Sequence, residues 1–73
     1  MTQNEKVLAY LREYGSISSM EAFRVLGITR LSARIYELRE RGYMIDNKPI
    51  RKKNGGEYVH YDRYVLRNET NSF

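Results

Sequence analysis

The chain of 73 residues contains no cysteine, no tryptophan, one proline and one histidine. Without cysteine there is no disulfide to staple a small domain and no thiolate to hold zinc. One histidine with no cysteine beside it gives no metal-ligand spacing, so neither a metal nor any other cofactor is expected. No apolar run approaches the roughly 18 residues of a membrane-spanning helix. The opening Met1-Thr2-Gln3-Asn4-Glu5 lacks the basic start and apolar stretch of a secretory leader. Together these absences predict a cytoplasmic protein with no membrane partner. Catalytic patterns are missing too: there are no paired carboxylates at a plausible site and no nucleophile–base arrangement. Gly55-Gly56 lies between two strand-like segments, whereas a phosphate cradle needs a strand leading into a helix. An enzyme with a small-molecule substrate is therefore not expected.

What the chain does have is base, unevenly placed. Its net charge is +4. Residues 1–29 balance three bases against three acids, and residues 54–73 carry two bases against three acids. Residues 30–53 carry eight bases (Arg30, Arg34, Arg39, Arg41, Lys48, Arg51, Lys52, Lys53) against Glu37, Glu40 and Asp46, an excess of five. A concentrated excess of this kind is the footprint of a surface that meets a polyanion.

The punctuation of the chain sets out its elements. Thr2-x-x-Glu5 is a capping box and Gly15 a helix stop, which predicts a first helix over about 3–14 with Val7, Leu8 and Leu11 inward. Ser16-Ile17-Ser18 has room for one short extended contact. Ser18-x-x-Glu21 is a second capping box, and a second helix over 19–26 follows, ended by Gly27. Thr29 is the expected N-cap of a third helix over about 30–41, closed by Gly42. Leu31, Ile35 and Leu38 form its apolar stripe, expected to pack with Phe23 and Leu26. The period then changes. Tyr43 to Asp46 reads as a strand that Pro49 ends, Asn54-Gly55-Gly56 as a turn, and Tyr58 to Leu66 as the returning strand. Tyr64 and Leu66 are expected to cover the core against the first helix, and Tyr43 and Tyr58 to pair across the hairpin. The tyrosine count, seven, fits strand propensity and core covering better than a base-stacking platform. The whole is an α+β fold: three helices followed by a two-stranded hairpin, with a short extra strand near 16–18. One domain is expected over 1–67, with a frayed tail at 68–73.

This order of elements resembles the winged helix-turn-helix family. The resemblance rests on "SISSMEAFRVLGITRLSARIYELRERGYMI", which is similar to that family's strand, second helix, turn and third helix. It is most similar to the small members carried by bacteriophages and mobile elements. The resemblance implies double-stranded DNA as partner, a regulatory or architectural role in a bacterial cell, and a dimer or cooperative neighbours where specificity is needed.

On that reading the third helix enters the major groove. With the apolar stripe turned inward, its first half presents Thr29, Arg30, Ser32, Ala33 and Tyr36, small or hydrogen-bonding residues that can approach base edges. Arg34 lies near the core edge, where it also suits an internal acid, and Glu37 is spaced for an ion pair with Arg41. Arg51, Lys52, Lys53 and Asn54 at the hairpin tip can follow a phosphate strand or a minor groove. Ser18 and Ser19 offer a further phosphate contact, although capping alone accounts for Ser18. Two other classes would use the same basic face: a protein-interaction winged helix, such as an anti-repressor or an inhibitor of a host nucleic-acid enzyme, and a binder of structured RNA.

Overall fold

The computed structural model describes residues 1–68. Its elements are α1 (Gln3–Tyr14), β1 (Ser16–Ser18), α2, α3 (Leu31–Glu40), β2 (Met44–Asn54) and β3 (Glu57–Asn68). Here α2 comprises a single α-turn, Ser19–Glu21, continued by the wider turn Ala22–Leu26, whose bonds span five residues. The tail expected at 68–73 lies, beyond Asn68, outside the described residues.

Both capping boxes form. Thr2 Oγ1 accepts from the Glu5 N–H at 3.1 Å, and Glu5 Oε1 accepts from the Thr2 N–H at 2.8 Å. Gly15, at φ 86°, takes the left-handed conformation that ends α1, and its N–H donates to the Leu11 carbonyl at 2.7 Å. The chain then enters β1, which pairs antiparallel with β3 from Ser16 opposite Val65 to Ser18 opposite Arg63. The sheet order is β1-β3-β2. Gly55 and Gly56, both at positive φ, form the two-residue turn between Asn54 and Glu57.

The core gathers Val7, Leu8 and Leu11 of α1, Ile17 of β1, Ala22 of α2, Ile28, the α3 stripe Leu31, Ile35 and Leu38, and Ile45 of β2. Full burial of each large aliphatic side chain is worth roughly 1.5–3 kcal/mol. Tyr64 and Leu66 pack against this cluster, as the strand alternation predicts.

Five local expectations need correction. Phe23 is not in the core but 59% exposed, whereas Leu26 is half-buried and packs against the core. The wide turn of α2 presents small Ala22 inward instead, and Gly27, at φ 70°, folds Ile28 back beneath the helix into the core. Thr29 does not cap α3. The N-cap is Arg30, whose carbonyl begins the helical ladder by accepting from the Arg34 N–H, so Thr29 lies one residue too early. Pro49 does not end β2, which runs on to Asn54. Residues flanking a two-residue turn exchange both backbone hydrogen bonds, so even-numbered residues of β2 bond to β3 and odd-numbered ones face outward. Pro49 therefore occupies an outer-edge position where no N–H is needed. Tyr58 pairs with Lys53 rather than Tyr43, because Tyr43 lies outside β2 altogether. Glu37 pairs with Arg34, not Arg41.

Candidate nucleic-acid interface

The inward stripe of α3 fixes what its other side can present. Leu31, Ile35 and Leu38 are buried, which leaves Arg30, Ser32 and Tyr36 exposed and Ala33 half-buried. Thr29 is exposed just before the helix. The Arg30 side chain makes no cap hydrogen bond, and among the described residues no side chain is bonded to the first-turn N–H groups of α3. Arg34 belongs to the scaffold. Its Nη1 donates to Gln3 Oε1 at 2.9 Å, tying α3 to the start of α1. Its Nε lies 3.0 Å from Glu37 Oε1 yet makes no aligned hydrogen bond, so that contact is an ion pair only.

The wing is the part of the β2–β3 hairpin that outruns the core, and every residue from 51 to 62 is exposed. Strand alternation divides its bases. Ile45 and Leu66 mark the face turned to the helices, and Arg51 and Lys53 lie on that same face with Tyr58 and His60. The Arg51 guanidinium sits 4.8 Å from the Tyr58 ring centroid, a cation–π contact that steadies it without neutralising it. Lys48 and Lys52 lie on the opposite face with Ile50, Val59 and Tyr61. The basic run at residues 51–53 is therefore two surfaces rather than one, a division that follows from register.

The wing is fastened to the helices at its root. Arg39 Nε donates to the Ile45 carbonyl at 2.9 Å. On the other side Arg63 donates from Nη2 to Glu21 Oε1 at 2.7 Å and from Nε to Ser16 Oγ at 3.0 Å. The same Glu21 oxygen accepts from the Ser18 N–H at 3.0 Å, and Ser18 Oγ accepts from the Glu21 N–H at 3.2 Å. Burial works against the Arg63 charge, but the Glu21 carboxylate and Tyr61 outweigh it and hold the guanidinium pKa above its ordinary value. Ser18 is buried and occupied within this network, while Ser19 stays exposed. The residues involved are up to 47 apart in sequence, so no local signal reveals the lock. Among the described residues, Arg30, Lys48, Lys52 and Lys53 make no ion pair. No group of three or more His, Asp or Glu side chains among them is placed to hold a metal ion.

A helix, a tight turn and a second helix whose basic face stays open, backed by a projecting hairpin, define the winged class of helix-turn-helix proteins. The family model for the winged helix-turn-helix domain matches residues 2–69, and the chain belongs to that family. No curated protein and no solved structure matches it. Domains of this class bind DNA in general. No helix among the described residues is long and apolar enough to cross a membrane.

Proposed function

We propose that this protein binds double-stranded DNA with α3 in the major groove and the wing on the backbone or in the minor groove. In this reading it is a small transcriptional regulator or architectural factor of bacteriophage type, working in the bacterial cytoplasm. The observation that supports it best is the open first half of α3. Arg30, Ser32 and Tyr36 are exposed there, and the helix N-terminus has no cap of its own. An arginine in this position can pair with the O6 and N7 atoms of a guanine, Ser32 can bond to a base of either kind, and uncapped N–H groups favour a phosphate. Thr29, Ser19 and Asn54 are exposed and remain secondary contacts. Arg51 and Lys53 share the helix-side face of the wing and are assigned to phosphates.

Binding measured against salt, on random duplex and on a site selected from a random library, tests this. Random duplex should bind with a dissociation constant of about 10⁻⁴–10⁻⁶ M at physiological salt. Neutralising Arg51 and Lys53 should weaken every duplex alike and flatten the log–log salt slope by roughly 0.9 for each phosphate that no longer meets a base. Arg30→Ala should cost about 1–3 kcal/mol on the selected site and much less on random sequence. No duplex binding even at low salt would overturn the reading in favour of a protein partner. If instead duplex RNA competes as well as duplex DNA, α3 is not the reader, because the narrow RNA major groove excludes a helix.

A further inference from the structure

The sheet has two edges, and they are built differently. Strand β3 has a neighbour on each side only over residues 63–65, where β1 pairs with it. Among the described residues it is bonded to β2 alone over residues 57–62. The Leu66 N–H donates to the Gly15 carbonyl at 3.1 Å, on the β1 side. Alternation along the strand turns the N–H and C=O groups of Tyr58, His60 and Asp62 to that same side, where no strand among the described residues meets them. The outer edge of β2 is also unpaired among the described residues, but guarded: Pro49 removes a donor there, and Lys48, Arg51 and Lys53 crowd it with charge. The β3 edge has neither proline nor lysine over these residues. A groove of 590 Å³ runs beside it, lined by the first residues of α2 and by Val59–Arg63. Met20 on its α2 wall is 60% exposed, and Val59 and Tyr61 on its β3 wall are 41% and 39% exposed.

We propose that this edge pairs antiparallel with the same edge of a second copy, about a two-fold axis at His60. A two-fold axis perpendicular to the sheet keeps each residue on its own face, so only residues of like parity can stand opposite. The register centred on His60 sets His60 opposite its counterpart and Tyr58 opposite Asp62. The three outward-facing residues of one strand then meet those of the other as hydrogen-bonded pairs. Val59 falls opposite Tyr61, a β-branched and aromatic pair on the outer face. No like charges oppose one another over these three pairs. Pairing stops at Asp62 because Ser18 of β1 already takes the place beside Arg63. The result is a continuous sheet of order β2-β3-β3-β2, with its two α3 helices related by the two-fold that a palindromic site requires.

The state of association is measured without DNA, so its failure and that of the DNA reading are distinguishable. Sedimentation velocity over a concentration series to the submillimolar range should show a reversible dimer. His60→Pro deletes an outward N–H and spares the bonds to β2, and Val59→Lys places a charge in the new apolar pair. Each should give a monomer, with circular dichroism confirming that the fold is kept. Since the chain has no cysteine, His60→Cys introduces a single thiol. Hydrogen-bonded antiparallel pairs stand about 5.5 Å apart between Cα atoms, inside the disulfide range of roughly 4.4–6.8 Å. It should cross-link at least tenfold faster under mild oxidation than Lys48→Cys, one strand away. A wild type that stays monomeric, a dimer that survives both disrupting substitutions, or equal cross-linking by the two cysteines would overturn the proposal.

Discussion

Ile35→Ala and Phe23→Ala, measured side by side, test the packing that decides which side of α3 is open. Ile35 is 1% exposed and Phe23 is 59% exposed. Truncating Ile35 to alanine removes three carbon atoms. At about 0.8 kcal/mol per buried methylene the transfer loss is roughly 2.4 kcal/mol, and the cavity left behind adds to it. The total falls within about 2–5 kcal/mol, the usual span for such a change. A chain of this length holds about 4–11 kcal/mol at 0.05–0.15 kcal/mol per residue, so the loss is a large part of the whole. A cost of about 3 kcal/mol should lower the melting temperature by roughly 12–24 °C, at 4–8 °C per kcal/mol. Phe23→Ala deletes more atoms, but more than half of the residue's surface already stands in water, and alanine has the higher helix propensity. Its effect should stay within about 0.5 kcal/mol of zero. Thermal and urea unfolding followed by circular dichroism provide both values. A Phe23→Ala cost of several kcal/mol, or an unchanged Ile35→Ala melt, would refute the assigned register and with it the outward face of α3.

Two further outcomes follow from polar contacts. The Arg63–Glu21 bond at 2.7 Å joins the wing root to α2 across partly buried groups. A double-mutant cycle with Arg63→Met and Glu21→Gln should give a coupling of about 1–2 kcal/mol, between exposed and buried charge-assisted bonds; strictly additive effects would show the contact to be incidental. The Thr2 backbone N–H, followed by the Thr2 side chain, holds the Glu5 pKa below its ordinary value. A carboxylate depressed in this way stabilises the fold above its unfolded pKa of about 4.3, and that contribution is lost as pH falls through the folded value. Glu5→Gln should therefore flatten this part of the acid limb in melts at descending pH, and an unaltered limb would rule out the contribution.

The sequence was most legible where a short-range rule acts without competition. Thr2-x-x-Glu5 and Ser18-x-x-Glu21 announce two helix starts that form as written, because a capping box is closed by residues three apart. Gly55-Gly56 announces the turn, since only glycine accepts positive φ twice in succession without cost. The misses came where tertiary geometry overrode the local signal. Phe23 reads as a core residue, and the wide turn of α2 turns Ala22 inward in its place. Pro49 reads as a stop unless its position on an outer edge is known. At the candidate interface, the exposed half of α3 follows from the 3.6-residue period. The division of the wing bases between two faces needs the register, which a turn and a count of residues fix only once the strands are seen to continue past Pro49.

Charge shows most clearly what a composition can and cannot tell. Over residues 30–53 the sequence counts eight bases and three acids. Two of those acids are neutralised by local partners: Glu37 by Arg34 at 3.0 Å, and Asp46 by Arg67, from outside the segment, at 3.1 Å. The exposed Asp46–Arg67 pair adds little stability, about 0–1 kcal/mol, but it cancels a negative charge beside the wing root. What remains over the segment is Arg30, Arg39, Arg41, Lys48, Arg51, Lys52 and Lys53 against Glu40 alone, an excess of six. The returning strand sets Glu57 and Asp62 against that excess, so over α3 and the whole wing the unpaired bases exceed the unpaired acids by four. A polyanion approaching α3 and the wing meets this net positive field, and the steepness of the salt dependence reports it.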